Sequence, residues 1–148
     1  MEMINYKTAL REGFEAAQKA DLARREVRNV LDKFKEDVLT GSEGKLLIEL
    51  KQLEAEETAF QRLARTSVVG ASPKKLYWAL VATNPTAKEP SHKQLARWRQ
   101  AKEGYPCLLQ LRDQEIQFED RTALEQGLAD LLRDPSTGET LYNLMKQK

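Results

Sequence analysis

Apolar residues recur at every second position over Cys107–Arg112 and again over Glu115–Glu119. From Leu124 to Leu132 they recur at every third or fourth position instead. The first spacing is that of a strand with one covered face, and the second is that of a helix. A two-residue loop at Asp113 and Gln114 pairs Leu111 with Ile116, Leu109 with Phe118, Gln110 with Gln117 and Arg112 with Glu115. One face of the ribbon is then apolar and the other mostly polar. The loop lacks the glycine that a type I′ turn favours, and a longer loop is the alternative. Thr122 and Glu125 have the spacing of a capping box, with Asp120 as a rival N-cap. Pro135 ends this helix, Ser136 and Glu139 repeat the capping spacing, and Leu141, Leu144 and Met145 mark a short last helix. An isolated hairpin is marginal in water. Leu109, Leu111, Ile116, Phe118, Leu124, Leu128 and Leu131 are therefore expected to share one core.

Upstream, residues 5–39 read as one long helix without proline, rich in Ala, Glu, Lys, Arg and Leu. Val27, Val30, Leu31, Phe34 and Val38 form a strong stripe in its second half, and Leu10, Phe14 and Ala17 a thinner one in its first. Such a helix is on the order of 50 Å long, more than a small sheet can cover. Its first half is expected to meet another helix of the chain or a second molecule, although Arg24 interrupts the seam. Thr40 to Gly44 breaks the helix. Lys45 to Lys51 fits a strand somewhat better than a helix, and 53–65 fits a helix. Val68 to Pro73 reads as a loop and Leu76 to Thr83 as a strand, with a helix capped by Ser72 and started by Pro73 as the alternative. Asn84 to Pro90 is a loop. Ser91 caps a helix through Lys102 with Leu95 and Trp98 turned inward, and Gly104 and Pro106 stop it.

These elements predict an α+β fold. A long N-terminal helix precedes a small antiparallel sheet, made of the C-terminal hairpin 107–119 and one or two earlier strands, packed by helices. The 148 residues suit a single domain, with 1–40 as a possible interaction arm and 67–148 as the α+β core. The one cysteine, Cys107, allows no intrachain disulfide and reads as a small buried hydrophobe. No signal-peptide pattern or long apolar run is seen, so a cytoplasmic setting is expected.

Composition adds a charge map. Formal net charge is +1, but residues 67–105 carry 7 basic and 2 acidic side chains, while residues 106–148 carry 5 basic and 8 acidic. The chemistry sought is not found. His92 is the only histidine, and a zinc site would need carboxylates for most ligands. Gly44-Lys45 is followed by Leu46, which removes the hydroxyl a phosphate-binding loop needs for magnesium. Glu36-Asp37 and Glu56-Glu57 read as solvated helix faces, and a Cys107–His92 nucleophile pair has little to support it. No catalytic, cofactor or metal residue is assigned, and the chain is not expected to be an enzyme.

Two binding readings follow. The first is a protein–protein interaction module, a small accessory protein of bacterial or phage type acting as adaptor, inhibitor or immunity-like partner, with dimerisation possible. Leu10 and Phe14 on the long helix, and Lys93, Arg97, Arg99 and Lys102 on the basic segment, are its candidate partner-binding residues. An acidic protein is the expected partner of the basic segment, because a nearly neutral chain gains little long-range attraction to DNA. The second reading is a nucleic-acid-binding regulator. If 73–83 is helical, that helix, helix 91–102 and the hairpin have the order of a winged helix-turn-helix, with Lys93 and Arg97 one turn apart facing the ligand.

Overall fold

The computed structural model describes residues 3–55 and 75–148. A 36-residue helix, α1 (Tyr6–Gly41), leads into five strands, β1 (Leu47–Glu54), β2 (Leu76–Thr83), β3 (His92–Gln100), β4 (Cys107–Leu111) and β5 (Gln114–Phe118). Two helices close the chain, α2 (Arg121–Arg133) and α3 (Pro135–Met145). The strands form one antiparallel sheet in chain order, β1-β2-β3-β4-β5. This is the expected α+β arrangement, with more sheet than the sequence patterns indicate.

The core lies between one face of the sheet and the helices. Ile48, Leu80, Ala82, Ala96, Trp98, Cys107, Leu109 and Phe118 from the sheet meet Val27 and Val30 of α1, Leu124, Leu128 and Leu131 of α2, and Leu141 and Leu144 of α3. Leu31, Phe34, Val38, Leu111 and Ile116 pack against the cluster half-buried. Of the seven residues expected to share a core, Leu109, Phe118, Leu124, Leu128 and Leu131 are buried in it, and Leu111 and Ile116 line its margin.

Local signals act as read in several places and differ in others. The α1 helix ends at a Ser42 cap, and Glu43 and Gly44 take left-handed backbone at φ 56° and 80°. The Ser42 hydroxyl, buried, accepts from the Leu46 amide at 2.9 Å and so ties the helix end to the start of β1. Asp120, not Thr122, caps α2 by accepting from the Ala123 amide at 2.8 Å. Asp134 ends α2 and caps α3, accepting from the Thr137 amide at 3.0 Å, so Ser136 is not the cap. In both cases an aspartate directly ahead of the helix supplies the acceptor, and the downstream hydroxyl residue falls inside the first turn.

The hairpin keeps its predicted faces but not its predicted register. The turn is Arg112-Asp113, with Leu111 opposite Gln114, Leu109 opposite Ile116 and Cys107 opposite Phe118. Arg112 takes the left-handed conformation, φ 48°, that the reading reserved for glycine. The offset from the predicted pairing is two residues, and an even offset leaves every side chain on its own face.

The largest correction concerns residues 91–102. They form strand β3, hydrogen-bonded between β2 and β4, not a helix. Gly104 and Pro106 therefore lie in the β3–β4 turn and stop no helix. Leu76–Thr83 is the predicted strand, so the two helices of a winged helix-turn-helix do not form. The strand preferred for 45–51 is present as β1, which extends through residues 53 and 54 of the predicted helix. The rest of that helix, 56–65, and the loop 68–73 lie outside the described residues.

Candidate interaction surface

The α1 helix divides at about residue 20. Every residue from Met3 to Lys19 is exposed. From Ala20 onward the helix meets the body, first at the β3–β4 turn. There Ala23 sits under Gly104, the Arg24 guanidinium donates to the Lys102 carbonyl at 2.6 Å, and the Tyr105 hydroxyl donates to Glu26 Oε1 at 2.6 Å. Val27 and Val30 then enter the core, and Lys35 pairs with Glu49 on β1 at 3.1 Å. The first 14 helical residues thus stand clear as an arm about 21 Å long. A free helix of that length is marginal in water. Here it continues a helix nucleated by the body, and Asn5 caps it by accepting from the Lys7 and Thr8 amides.

The arm carries large apolar side chains in solvent: Tyr6 is 77% exposed, Leu10 59% and Phe14 62%. At about 100° per residue, Tyr6, Leu10, Phe14 and Ala17 fall in a sector about 80° wide. The centre of that sector is rotated by about 100° from that of the buried stripe Val27, Val30, Leu31, Phe34 and Val38. The two stripes are separate faces, so the arm's stripe is not a frayed extension of the core contact. The sequence reading found Leu10 and Phe14 but not Tyr6 or Gly13, which the same three- and four-residue spacing reaches.

The basic candidates do not form the row expected of them. The pairing of β2 with β3 steps from Leu80 opposite Ala96 to Val81 opposite Gln94, so Leu95 is the extra residue of a β-bulge. Lys93 therefore lies opposite Ala82, and Arg97 opposite Ala79, on opposite faces of the sheet. The guanidinium of Arg97 stacks over the Tyr77 ring at 4.2 Å, and the Tyr77 hydroxyl donates to Gln94 Oε1 at 2.7 Å. Arg99 shares the Arg97 face, and Lys102 is exposed in the turn that receives Arg24. Lys93, Arg97, Arg99 and Lys102 are all exposed, but only Arg97 and Arg99 share a surface.

Cys107 is fully buried on the inner face of β4, and its thiol donates to the Gly104 carbonyl at 3.4 Å. Burial pushes this thiol from 9.0 up to about 12. Tyr105, beside it, is also raised, by burial first and then by its hydrogen bond to Glu26. His92 bonds Thr83 at 2.8 Å at the start of β3, whereas Cys107 pairs with Gln100 at the other end of that strand. Among the described residues no group of three or more His, Cys, Asp or Glu is placed to hold a metal ion.

A pH dependence follows. A group whose folded-state pKa is raised holds its proton when the unfolded chain releases it. Its contribution is complete below about 9 and is lost as pH rises through the folded value. Stability in urea is expected to fall above pH 9, by about 1.4 kcal/mol per unit from Cys107 alone. Cys107→Ala should flatten the decline, leaving the part due to Tyr105. The native thiol should also resist alkylation at pH 8, measured by mass shift after brief exposure.

No protein-family model matches the chain, and neither does any curated protein or solved structure.

Proposed function

We propose that the chain is a non-enzymatic docking protein whose N-terminal arm is the contact element. The single observation that carries this reading is the exposed stripe of Tyr6, Leu10 and Phe14 on a helix held out from the body. Large apolar side chains grouped on one solvent face mark an interaction surface, whereas scattered ones need no explanation. The body supports the arm, because the contacts of Ala23, Arg24 and Glu26 fix its root. Such a protein suits an adaptor, an inhibitor or an immunity-like partner. A cytoplasmic setting belongs to the same proposal. Among the described residues no helix is long and apolar enough to cross a membrane.

Nucleic acid is the second reading, favoured by one observation. Arg97 and Arg99 are exposed on a common sheet face beside Tyr77, a combination able to meet phosphate and a stacked base.

The test is a double variant, Leu10→Glu with Phe14→Glu. Both sites are exposed, so the melting temperature is expected to stay within the small range usual for surface substitutions. Capture from a lysate of the source organism should lose at least tenfold of whatever the unaltered chain retains, a second copy included. Capture that is undiminished would remove the arm from the docking surface. Salt-sensitive binding to duplex DNA or RNA, kept by the arm variant and lost on reversing Arg97 and Arg99, would favour the second reading.

A further inference from the structure

We infer that the cleft between β5 and α2 takes an extended segment of a partner protein, added antiparallel to the free edge of β5, with an apolar residue seated in the cleft and Lys or Arg at its flanks. This site is separate from the arm and does not rest on the docking reading of it. β5 is the last strand of the sheet, and among the described residues none pairs with its outer edge. The hairpin turn fixes which groups face that edge. Leu111 and Gln114 close a two-residue turn, so they exchange hydrogen bonds with each other, and the pattern alternates from there. Glu115 and Gln117 therefore direct their N–H and C=O groups away from β4, to the outer edge. Sheet edges are commonly blunted by lysine, proline or a bulge. β5 has no lysine or proline, and its register with β4 is unbroken.

The cleft lies beside this edge. Its volume is about 660 Å³, within the range of about 300–1,000 Å³ typical of ligand clefts. Leu111, Ile116 and Phe118 line it from the hairpin, and Ala123, Gly127 and Leu131 from α2. Leu111, Ile116 and Ala123 are only half-buried. α2 meets α1 along a different flank, Glu125, Ala129 and Leu132, so α1 does not enter the cleft. A strand paired with β5 sends every second side chain to the inner face of the sheet. The residue opposite Ile116 then enters the cleft, while its two neighbours exchange backbone bonds with Glu115 and Gln117. The backbone bonds supply affinity, and the cleft selects the side chain.

The charge around the cleft names the partner's chemistry. Residues 113–120 carry 4 acidic side chains and no basic ones. Asp130 and Asp134 line the cleft from the far side. Arg112 and Arg133 answer only part of this charge, and Arg133 is already paired with Asp130 at 3.1 Å. Such an edge attracts a cationic segment and repels an acidic one.

The test is selection of a random peptide library on the full-length chain, followed by titration of the enriched peptides by fluorescence anisotropy. Enriched peptides are expected to alternate apolar residues and to carry Lys or Arg at their flanks. Gln117→Pro removes an N–H that faces the edge and no bond to β4, so the strand is kept. It should raise the dissociation constant of the peptides about tenfold or more. Ala123→Leu, which fills the cleft, should act in the same direction. Circular dichroism melts of both variants check that the fold is kept. Methylating alternate backbone nitrogens of a peptide should abolish binding in one phase and spare it in the other, as strand addition requires. The Leu10→Glu, Phe14→Glu variant should bind the same peptides unchanged, so this site and the arm succeed or fail separately. No enrichment over a control protein of like charge would overturn the proposal. Enriched peptides that are acidic, or that are indifferent to both Gln117→Pro and Ala123→Leu, would overturn it too.

Discussion

Leu128→Ala is expected to lower stability by roughly 2–5 kcal/mol, the range for removing a buried leucine when the site relaxes only in part. For a chain of this size that corresponds to a fall of about 5–15 °C in Tm. Leu128 is 2% exposed at the centre of α2, between Leu124 and Leu131 of its own helix and within the cluster that holds Leu109 and Phe118. The sheet and α2 approach closely here. A methyl group at Gly127 would come within 2.2 Å of the Phe118 ring, so the helix cannot settle inward to fill a void without moving that ring. The cavity term therefore survives relaxation, and the loss belongs in the upper half of the range. Urea unfolding monitored by tryptophan fluorescence measures it. A loss below about half a kcal/mol, as at a surface site, would show that α2 does not cover the hairpin.

Gly104→Ala should be of similar size for a different reason. Gly104 has φ 102°, a backbone conformation that side chains other than glycine rarely adopt, and forcing one there costs of order 1–3 kcal/mol. A Cβ at this position would also lie 2.6 Å from Ala23 Cβ and 2.9 Å from the Ala23 carbonyl carbon and the Arg24 amide nitrogen. Overpacking against a helix backbone adds roughly 1–3 kcal/mol. The total is about 2–6 kcal/mol, read by the same urea titration. The two causes separate in a double-mutant cycle. Ala23→Gly removes the Cβ contact but neither the backbone contacts nor the strain, so it should return only part of the loss. Full recovery would show that the backbone conformation costs nothing.

Much of the fold was legible because burial on one face leaves a periodic trace. Leu76–Thr83 is apolar on both faces and lies second in the sheet, where it pairs on both edges. The hairpin was legible in its faces but not its register, because the pattern repeats every two residues and an even offset leaves no mark on it. Segment 91–102 was misread for a physical reason. Ser91 has the character of a helix cap, and Leu95 and Trp98 are three residues apart, as on one turn of helix. The β-bulge at Leu95 produces the same spacing in a strand, since it lets half-buried Leu95 and buried Trp98 both reach the core. Pairing with two neighbours then outweighs a weak local preference.

The candidate surface was legible in part. Leu10 and Phe14 stand out as apolar residues with no obvious cover, and the length of the helix implied that its first half would overreach. The direction of that half depends on where the body ends, at the Gly104 turn, which no local pattern encodes. The basic residues were misplaced together with the element that carries them. With β3 a strand and its bulge at Leu95, Lys93 and Arg97 separate to opposite faces.

The order of the sheet has a consequence for how the chain collapses. Each strand pairs with its neighbour in sequence, so the entropy lost in closing loops is set by the connections alone and grows only slowly with their length. The β4–β5 closure spans two residues, and the next two connections are short. Residues 55–75 make the β1–β2 closure the most demanding of the four. Residues 76–148 thus hold four strands and two helices with only local closures. Topology of this kind favours fast folding. The α1–β1 unit, bound within itself by the Ser42 hydroxyl and the Lys35–Glu49 pair, joins across the one long closure and carries the arm with it.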